Sequence, residues 1–424
     1  MTTCDAPDAA GALTAGRRPE LLAPAGSLEK LKVAIRYGAD AVYLGGRDYS
    51  LRSKAENFSD KELRQAISYC RSRGVRSYVT VNIFPRNSDL EGIREFLSTL
   101  EELGPDGIIV SDPGVFQMAR RLCPQIPLHV STQANVTNVE AARFWQGLGA
   151  GRINLARELS FMEIREFKRA LSCQVEVFVH GALCISWSGR CLLSLYMTGR
   201  DANKGACAHP CRYSYRLEEE KRPGEFFPVE EDGRGTYIFS SRDLCLVSRL
   251  FQLAGAGVDG LKIEGRTKGI FYLATVVRVY RTALDSALEA LRQGAEGWRP
   301  PEAAFRELSF ISSRKYTENF FQGGVGPEDM AWQGTEVDQS RVPAALVLRA
   351  GEHPLFRAIH VIRPGDRLEY MDSGLEDRVL TVERLVVPGG QELEKTLGGE
   401  ELHIEFREPV RVEPYSLLRK AARG

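Results

Sequence analysis

The chain has 424 residues, with 56 basic and 56 acidic side chains and a formal net charge of zero. No global field therefore draws it to nucleic acid or an anionic membrane, and any polyanion site must come from a local basic patch. Apolar and charged fractions of 43% and 26% are ordinary for a globular protein, and no apolar run approaches the roughly 18 residues of a membrane span.

Residues 1–19 lack a basic start followed by an apolar stretch, so they read as a disordered tail rather than a secretory signal. The expected location is cytoplasmic. There, nine cysteines stay reduced and serve as metal ligands or buried apolar groups.

An apolar strand at 20–26 (ELLAPAG) leads to a helix at 30–37 that Ser27 can cap, then to a strand at 41–44 ended by Gly45 and Gly46. The cycle recurs: helix 60–73 before strand 77–81, helix 90–103 before strand 107–110, helix 113–122 before strand 128–131. Helix 139–148 precedes strand 152–155, and helix 161–170 precedes strand 175–179. Much later, helix 244–253 precedes the eighth strand, 260–263, and a long helix follows at 270–292.

Short apolar strands alternating with amphipathic helices call for a parallel sheet with right-handed crossovers. Eight of them suffice to close a (β/α)8 TIM-like barrel, so an α/β fold with a catalytic domain at 20–295 is expected. A doubly wound sheet would carry a glycine-rich phosphate turn after its first strand, and LLAPAGS is not one. A cysteine-bearing insertion occupies about 184–236, and a short strand is expected at 237–240. Residues 296–341 form a linker and a polar-aromatic segment that periodicity does not assign. From 342 to 424 alternating apolar residues between Gly/Pro turns predict a small C-terminal β-barrel domain.

Functional groups of such a barrel sit at the C-terminal strand ends. Those ends carry Asn82, Asp112, Gln133, Asn135, Asn154, Arg157, Glu158, His180, Glu264 and Arg266. This amide- and arginine-rich set suits a polyoxygenated or carboxylated ligand, with capping as the competing role for any single member. His180, Glu264 and Glu158 are the acid–base candidates; Asn82, Gln133, Asn135, Arg157 and Arg266 are the substrate-binding candidates.

Cys184, Cys191, Cys207, Cys211 and Cys245 gather in one third of the chain. Four thiolates hold zinc in a closed tetrahedral site or an iron–sulfur cluster. Only Cys207 and Cys211 have the close spacing of structural zinc, and the scatter of the others suits a cluster better. Cys70, Cys123 and Cys173 lie on or beside amphipathic helices, as buried groups. His180 near Cys184 passes for a nucleophile–base dyad, but no G-x-S-x-G elbow or H-E-x-x-H helix is present.

The stretch at 175–194, VEVFVHGALCISWSGRCLLS, resembles the signature of peptidase family U32, a collagenase-like family, through Glu176, Phe178, Gly181, Cys184, Gly189, Cys191, Leu193 and Ser194. ELLAPAGS at 20–27, GADAVYLGG at 38–46, NKGACAHPCRY at 203–213, SSRDLCL at 240–246 and LKIEGR at 261–266 are similar to the same family, as is the small domain ending in EPYSLLRK. At this length the chain most resembles the prephenate-dependent tRNA uridine hydroxylases of that family.

The resemblance implies hydroxylation of the wobble uridine to 5-hydroxyuridine, with prephenate rather than dioxygen as the oxygen source. It also implies a 4Fe-4S cluster on Cys184, Cys191, Cys207 and Cys245, with Cys211 as the alternative ligand. Arg157, Arg266 and Arg52 suit a dicarboxylate co-substrate such as prephenate. Arg190, Lys204, Arg212 and Arg216, with Tyr213, give the insertion a basic, base-stacking face for tRNA, although glutamates at 218–220 adjoin it. Two alternatives stand beside this: a collagenase-like peptidase, and a zinc-stabilised, non-catalytic partner subunit of a hydroxylation complex.

Overall fold

A computed structural model describes residues 18–51, 56–184, 186–212, 231–232, 235–236, 242–312, 315–324 and 340–422. The strand expected at 237–240 lies outside them. In chain order the large domain runs β1 (Glu20–Pro24), α1 (Leu28–Arg36), β2 (Ala41–Gly45), α2 (Asp60–Ser72), β3 (Arg76–Val81), α3 (Leu90–Leu103), β4 (Gly107–Val110) and α4 (Pro113–Leu122). It continues with β5 (Leu128–Val130), α5 (Val139–Gly147), β6 (Arg152–Asn154), α6 (Phe161–Ala170), β7 (Gln174–Ala182) and α7 (Leu193–Thr198). Next come the short hairpin β8 (Glu231–Asp232) and β9 (Gly235–Thr236), then β10 (Asp243–Cys245), α8 (Leu250–Gly255), β11 (Gly260–Ile263) and α9 (Ile270–Arg292). Strands β1 to β7 pair in parallel in sequence order, and β11 pairs in parallel with both β7 and β1, closing an eight-stranded barrel.

Local chemistry starts the helices where the periodicity does. Ser27, Asp112 and Asn138 accept the first backbone N–H groups of α1, α4 and α5. Ser59 with Glu62, and Ser160 with Glu163, form capping boxes on α2 and α6. Residues 243–245, expected to open a helix, instead form β10, antiparallel to β7 with Cys245 opposite His180; the helix begins only at Leu250.

The barrel interior is held by charge as well as by apolar contact. Arg152 Nη1 donates to Glu20 Oε1 (2.6 Å) and Glu176 Oε2 (3.0 Å), while Lys262 Nζ donates to Glu176 Oε1 (2.9 Å). Tyr78 donates to Glu20 Oε2 (2.9 Å), and the Arg152 guanidinium also grips Gln174 Oε1. Strands β1 and β6 are not neighbours, so the Glu20–Arg152 bond crosses the interior. All four charged groups are buried. Truncating one member of such a set leaves its partner's charge stranded, at a cost of about 3–5 kcal/mol.

One irregularity redirects β7. Its register with β11 runs Glu176–Gly260, Val177–Leu261, Phe178–Lys262 and then His180–Ile263, passing over Val179. Counting by two from Glu176 and Phe178 would turn His180 into the barrel. The skipped residue turns it outward with Ile263, and the Val179 carbonyl instead accepts from Tyr280 Oη (2.7 Å) and Leu246 N (2.8 Å).

The polar-aromatic segment contains α10 (Glu302–Ser309) and β12 (Tyr316–Thr317), which runs beside β10. Strands β13 (Arg341–Arg349), β14 (Leu355–Ala358), β15 (Arg367–Met371), β16 (Arg378–Val386), β17 (Glu401–Phe406) and β18 (Leu417–Ala421) close a small antiparallel barrel in the order β13-β14-β17-β16-β15-β18. It docks on α1 and α9: Tyr37 Oη donates to Met371 O and accepts from Leu417 N, both at 2.9 Å. Glu307 of α10 bridges Arg278 of α9 and Arg419 of β18, and Asp377 pairs with the same two arginines at 2.6 and 2.7 Å.

Arg152→Ala is expected to lower unfolding free energy by about 3–5 kcal/mol in urea titrations. Acid sensitivity follows from the same network. Burial, reinforced by Arg152, holds His129 down at about 3 from an ordinary 6.5. Burial opposes ionisation of Glu176, but Lys262 and Arg152 outweigh it and hold that carboxyl down at about 2. Both values lie below those of the unfolded chain, so the stability they contribute is full above the unfolded-chain values and is lost as pH falls towards the folded ones. His129 contributes as pH drops from 6.5 towards about 3, and Glu176 from 4.5 towards about 2. His129→Gln should flatten the upper part of that limb; an unchanged slope would refute the assignment.

Candidate functional site

A pocket open to solvent lies at the C-terminal mouth of the barrel. Tyr43, Ile109, Phe178 and Lys262 come from within the strands and form its floor; Asn82, Gln133, Asn154, Arg157, Glu264 and Arg266 come from strand ends and form its wall. Five of the eight proposed acid–base and substrate-binding residues described by the structure therefore meet in one place.

Arg266 donates to Ser50 Oγ (2.6 Å) and Thr80 Oγ1 (3.1 Å) and bonds Asn57 Oδ1. Its guanidinium lies so close to Gly45 that a Cβ there would sit 2.8 Å from Nη2, which is why the strand ends in glycine. Arg157 stacks 3.9 Å from the Phe178 ring centroid and donates to Ala182 O (2.9 Å). Asn82 Nδ2 reaches Ser131 Oγ (3.2 Å) and Gln133 Oε1 (3.4 Å), a mesh that braces two of the three amides. The third, Asn154, is buried with neither side-chain polar atom hydrogen-bonded. Each such atom typically costs about 1–3 kcal/mol until something pairs with it.

Four candidates sit elsewhere. Turned outward by the irregularity at Val179, His180 is 1% exposed among Tyr272, Tyr280 and Tyr316. Burial holds it down at about 3, and it does not line the pocket. Glu158 is no pocket carboxylate either: it accepts from Ser188 N (2.5 Å) and Ser188 Oγ (2.7 Å), clamping the loop between Cys184 and Cys191. Asn135 takes a left-handed φ of 62° after the turn at 132–134 and does not line the pocket. Asp112 is spent as a helix cap. Arg52 lies outside the described residues. Lys262, Phe178 and Tyr43 were missed; a lysine in the middle of the wholly buried strand β11 was the available signal.

The cysteine loop leans on the mouth. Besides the Glu158 clamp, Arg190 Nε donates to Gln133 O (3.0 Å) with its guanidinium over Phe84, and Asn203 Nδ2 donates to Cys191 O (3.2 Å). Gly181, at φ +114°, lets the chain leave β7 against Glu264, whose carbonyl would be 2.7 Å from any Cβ. The basic face expected for RNA is partly consumed internally: Lys204 pairs with Asp89 at 2.7 Å and Arg190 is held at the pocket rim. Tyr213, Arg216 and the Arg212 side chain lie outside the described residues.

The thiols as placed do not fit a metal cluster. Cys184 is exposed, and Cys191, Cys207 and Cys211 are half-buried in the loop. Cys245, expected among the cluster ligands, is buried on the outer side of the barrel wall against Tyr280 Oη (3.7 Å), and burial pushes its thiol up to about 11. Among the described residues no three His, Cys, Asp or Glu side chains are grouped to hold a metal ion. Cys70 and Cys123 are buried, and burial raises their thiols to about 12 and about 11. No described helix is long and apolar enough to cross a membrane.

Glu158→Ala should free the loop and raise the alkylation rate of Cys191 several-fold in metal-free protein, measured by mass spectrometry. A rate equal to wild type would show that the loop is held by other contacts.

Residues 26–331 match the sequence profile of peptidase family U32. The chain is 36% identical to tRNA hydroxylation protein P1 of Bacillus subtilis (strain 168) over 408 residues, 95% of each chain. It is 38% identical to tRNA hydroxylation protein P of Escherichia coli (strain K12) over 345 residues, 72% of this chain and 75% of that one. It is also 36% identical to the Collagenase of Porphyromonas gingivalis (strain ATCC BAA-308 / W83) over 319 residues, 72% and 73% of the two chains. A barrel whose seventh strand runs into a cysteine loop folded over its mouth, matched along most of its length, places the chain in peptidase family U32.

Proposed function

We propose that this chain hydroxylates uridine in tRNA, converting the wobble base to 5-hydroxyuridine with prephenate as the oxygen donor. The observation that carries the reading is the pocket itself: among its described lining residues, two arginines, a lysine and three amides surround one carboxylate, under the cysteine loop. That lining suits small, oxygen-rich anions and planar bases, and the relatives at 36% and 38% identity are named for tRNA hydroxylation.

Roles follow from placement. Arg157 and Arg266 supply the positive charge that draws the carboxylates of the co-substrate, with Arg266 fixed by Ser50, Thr80 and Asn57. Phe178 and Tyr43 offer flat apolar faces to a ring, and Glu264 is the carboxylate of the described lining. Burial lowers the Lys262 ammonium, while its bond to Glu176 favours charge. Lys262 therefore fixes the floor more than it attracts ligand. The reading includes an iron–sulfur cluster, or zinc in its place, on Cys184, Cys191 and Cys207 with Cys245 or Cys211. This requires the loop to draw together thiols that lie apart here.

Peptide cleavage, the alternative raised by the family's name, needs a nucleophile with a base in reach. Among the described lining residues Ser131 bonds Gln133 and Thr132 donates to Leu155 O, and no histidine is present.

Nucleoside mass spectrometry of tRNA from a deletion strain should show loss of 5-hydroxyuridine, restored by the wild-type chain; tRNA of unchanged composition would refute the proposal. Arg266→Ala should weaken prephenate binding about 10- to 100-fold, the worth of a charge-assisted contact, and leave tRNA binding nearly unchanged. Equal loss of both would misplace Arg266.

A further inference from the structure

Asn154 closes β6 and faces the pocket, yet its Oδ1 and Nδ2 are buried without hydrogen-bond partners. The two other amides of the wall behave differently, since Asn82 and Gln133 bond each other. Next to Asn154 in the same wall, Arg157 Nε is also buried without a partner. An amide with both ends unfilled is complementary to a ligand edge that offers a donor beside an acceptor. A carboxylate offers acceptors alone, so the anionic co-substrate would fill one end of Asn154 and leave the other stranded. An imide edge fills both.

Resting on the reading that this chain acts on uridine, we propose that Asn154 is the specificity-determining residue that reads the Watson–Crick edge of the target base. Its Oδ1 accepts from uracil N3–H and its Nδ2 donates to O4. The base enters from a single-stranded loop, the form in which this edge is accessible in RNA, and lies against the Phe178 and Tyr43 faces in the same pocket. Arg157 and Arg266 remain for the carboxylates. Half a turn of the amide would match cytosine instead. The side chain therefore sets the class of edge, and an acceptor-only replacement opposes uracil O4 while still accepting from cytosine N4–H.

The test is binding of the full chain to stem-loop RNAs carrying uridine, 3-methyluridine or cytidine at the wobble position, read by fluorescence anisotropy. Wild type should prefer uridine to 3-methyluridine by about 10-fold or more, the usual discrimination of a two-bond contact to a base edge. Asn154→Asp, which keeps an acceptor for N3–H but opposes O4, should weaken uridine binding about 10-fold or more and bind cytidine at least as well as uridine, and Asn154→Ala should bind all three alike. Wild type that does not distinguish uridine from 3-methyluridine overturns the proposal without recourse to any variant. An Asn154→Asp protein that binds uridine as tightly as wild type also overturns it. So does an Asn154→Ala protein that loses prephenate binding while still favouring uridine, which assigns Asn154 to the co-substrate. These are binding measurements, so they stand whether or not the deletion strain loses 5-hydroxyuridine, and the two readings fail separately.

Discussion

Burying four formal charges inside an eight-stranded barrel is tolerable only when each meets its opposite, and the ladder Glu20–Arg152–Glu176–Lys262 arranges that. One of its bonds, Glu20–Arg152, spans strands that are not neighbours, and the other two tie β7 to β6 and to β11, so it fixes the register of these four strands. A slip of one residue in β1, β6, β7 or β11 would turn a charged member out of the interior and leave its partner behind. Lys262 is the top rung of this ladder and the floor of the pocket at once. The floor is therefore already balanced by Glu176, and attraction for an anion comes from the arginines at the wall.

The same solution recurs where the two barrels meet. Arg278 and Arg419 share Glu307 and Asp377, all four largely buried. Tyr37 threads its hydroxyl between Met371 and Leu417. Paired charges demand a specific geometry that a purely apolar contact does not. The small barrel is accordingly seated on α1 and α9, on the outside of the large one. Burial of α9 along most of its 23 residues follows from this, because it has a barrel on each side.

What could be read from the chain alone was what depends on neighbours in sequence: eight strands by their apolar runs, a helix capped by Ser27, and a second domain by its change of rhythm. Strand-end position also selected Asn82, Gln133, Arg157, Glu264 and Arg266, since any parallel barrel brings its strand ends to one mouth. Partners distant in sequence stayed hidden. Nothing local says that Glu158 will hold Ser188, that Lys204 will pair with Asp89, or that Cys245 will lie under Tyr280. Asn154 was visible as a strand end, but only the folded wall shows that its amide lacks partners while its two counterparts have them.

The offset at Val179 has a bearing on how one scaffold carries unlike chemistries. A single residue passed over by β11 decides whether the imidazole four places before Cys184 points at the ligand or at the tyrosines behind the wall. Loss or gain of one residue there would exchange an inert buried ring for a proton-transfer group inside the pocket. No catalytic side chain would have to mutate. Within a family that spans hydroxylation proteins and a collagenase, the phase of a strand is as capable of separating activities as the identity of any residue on it.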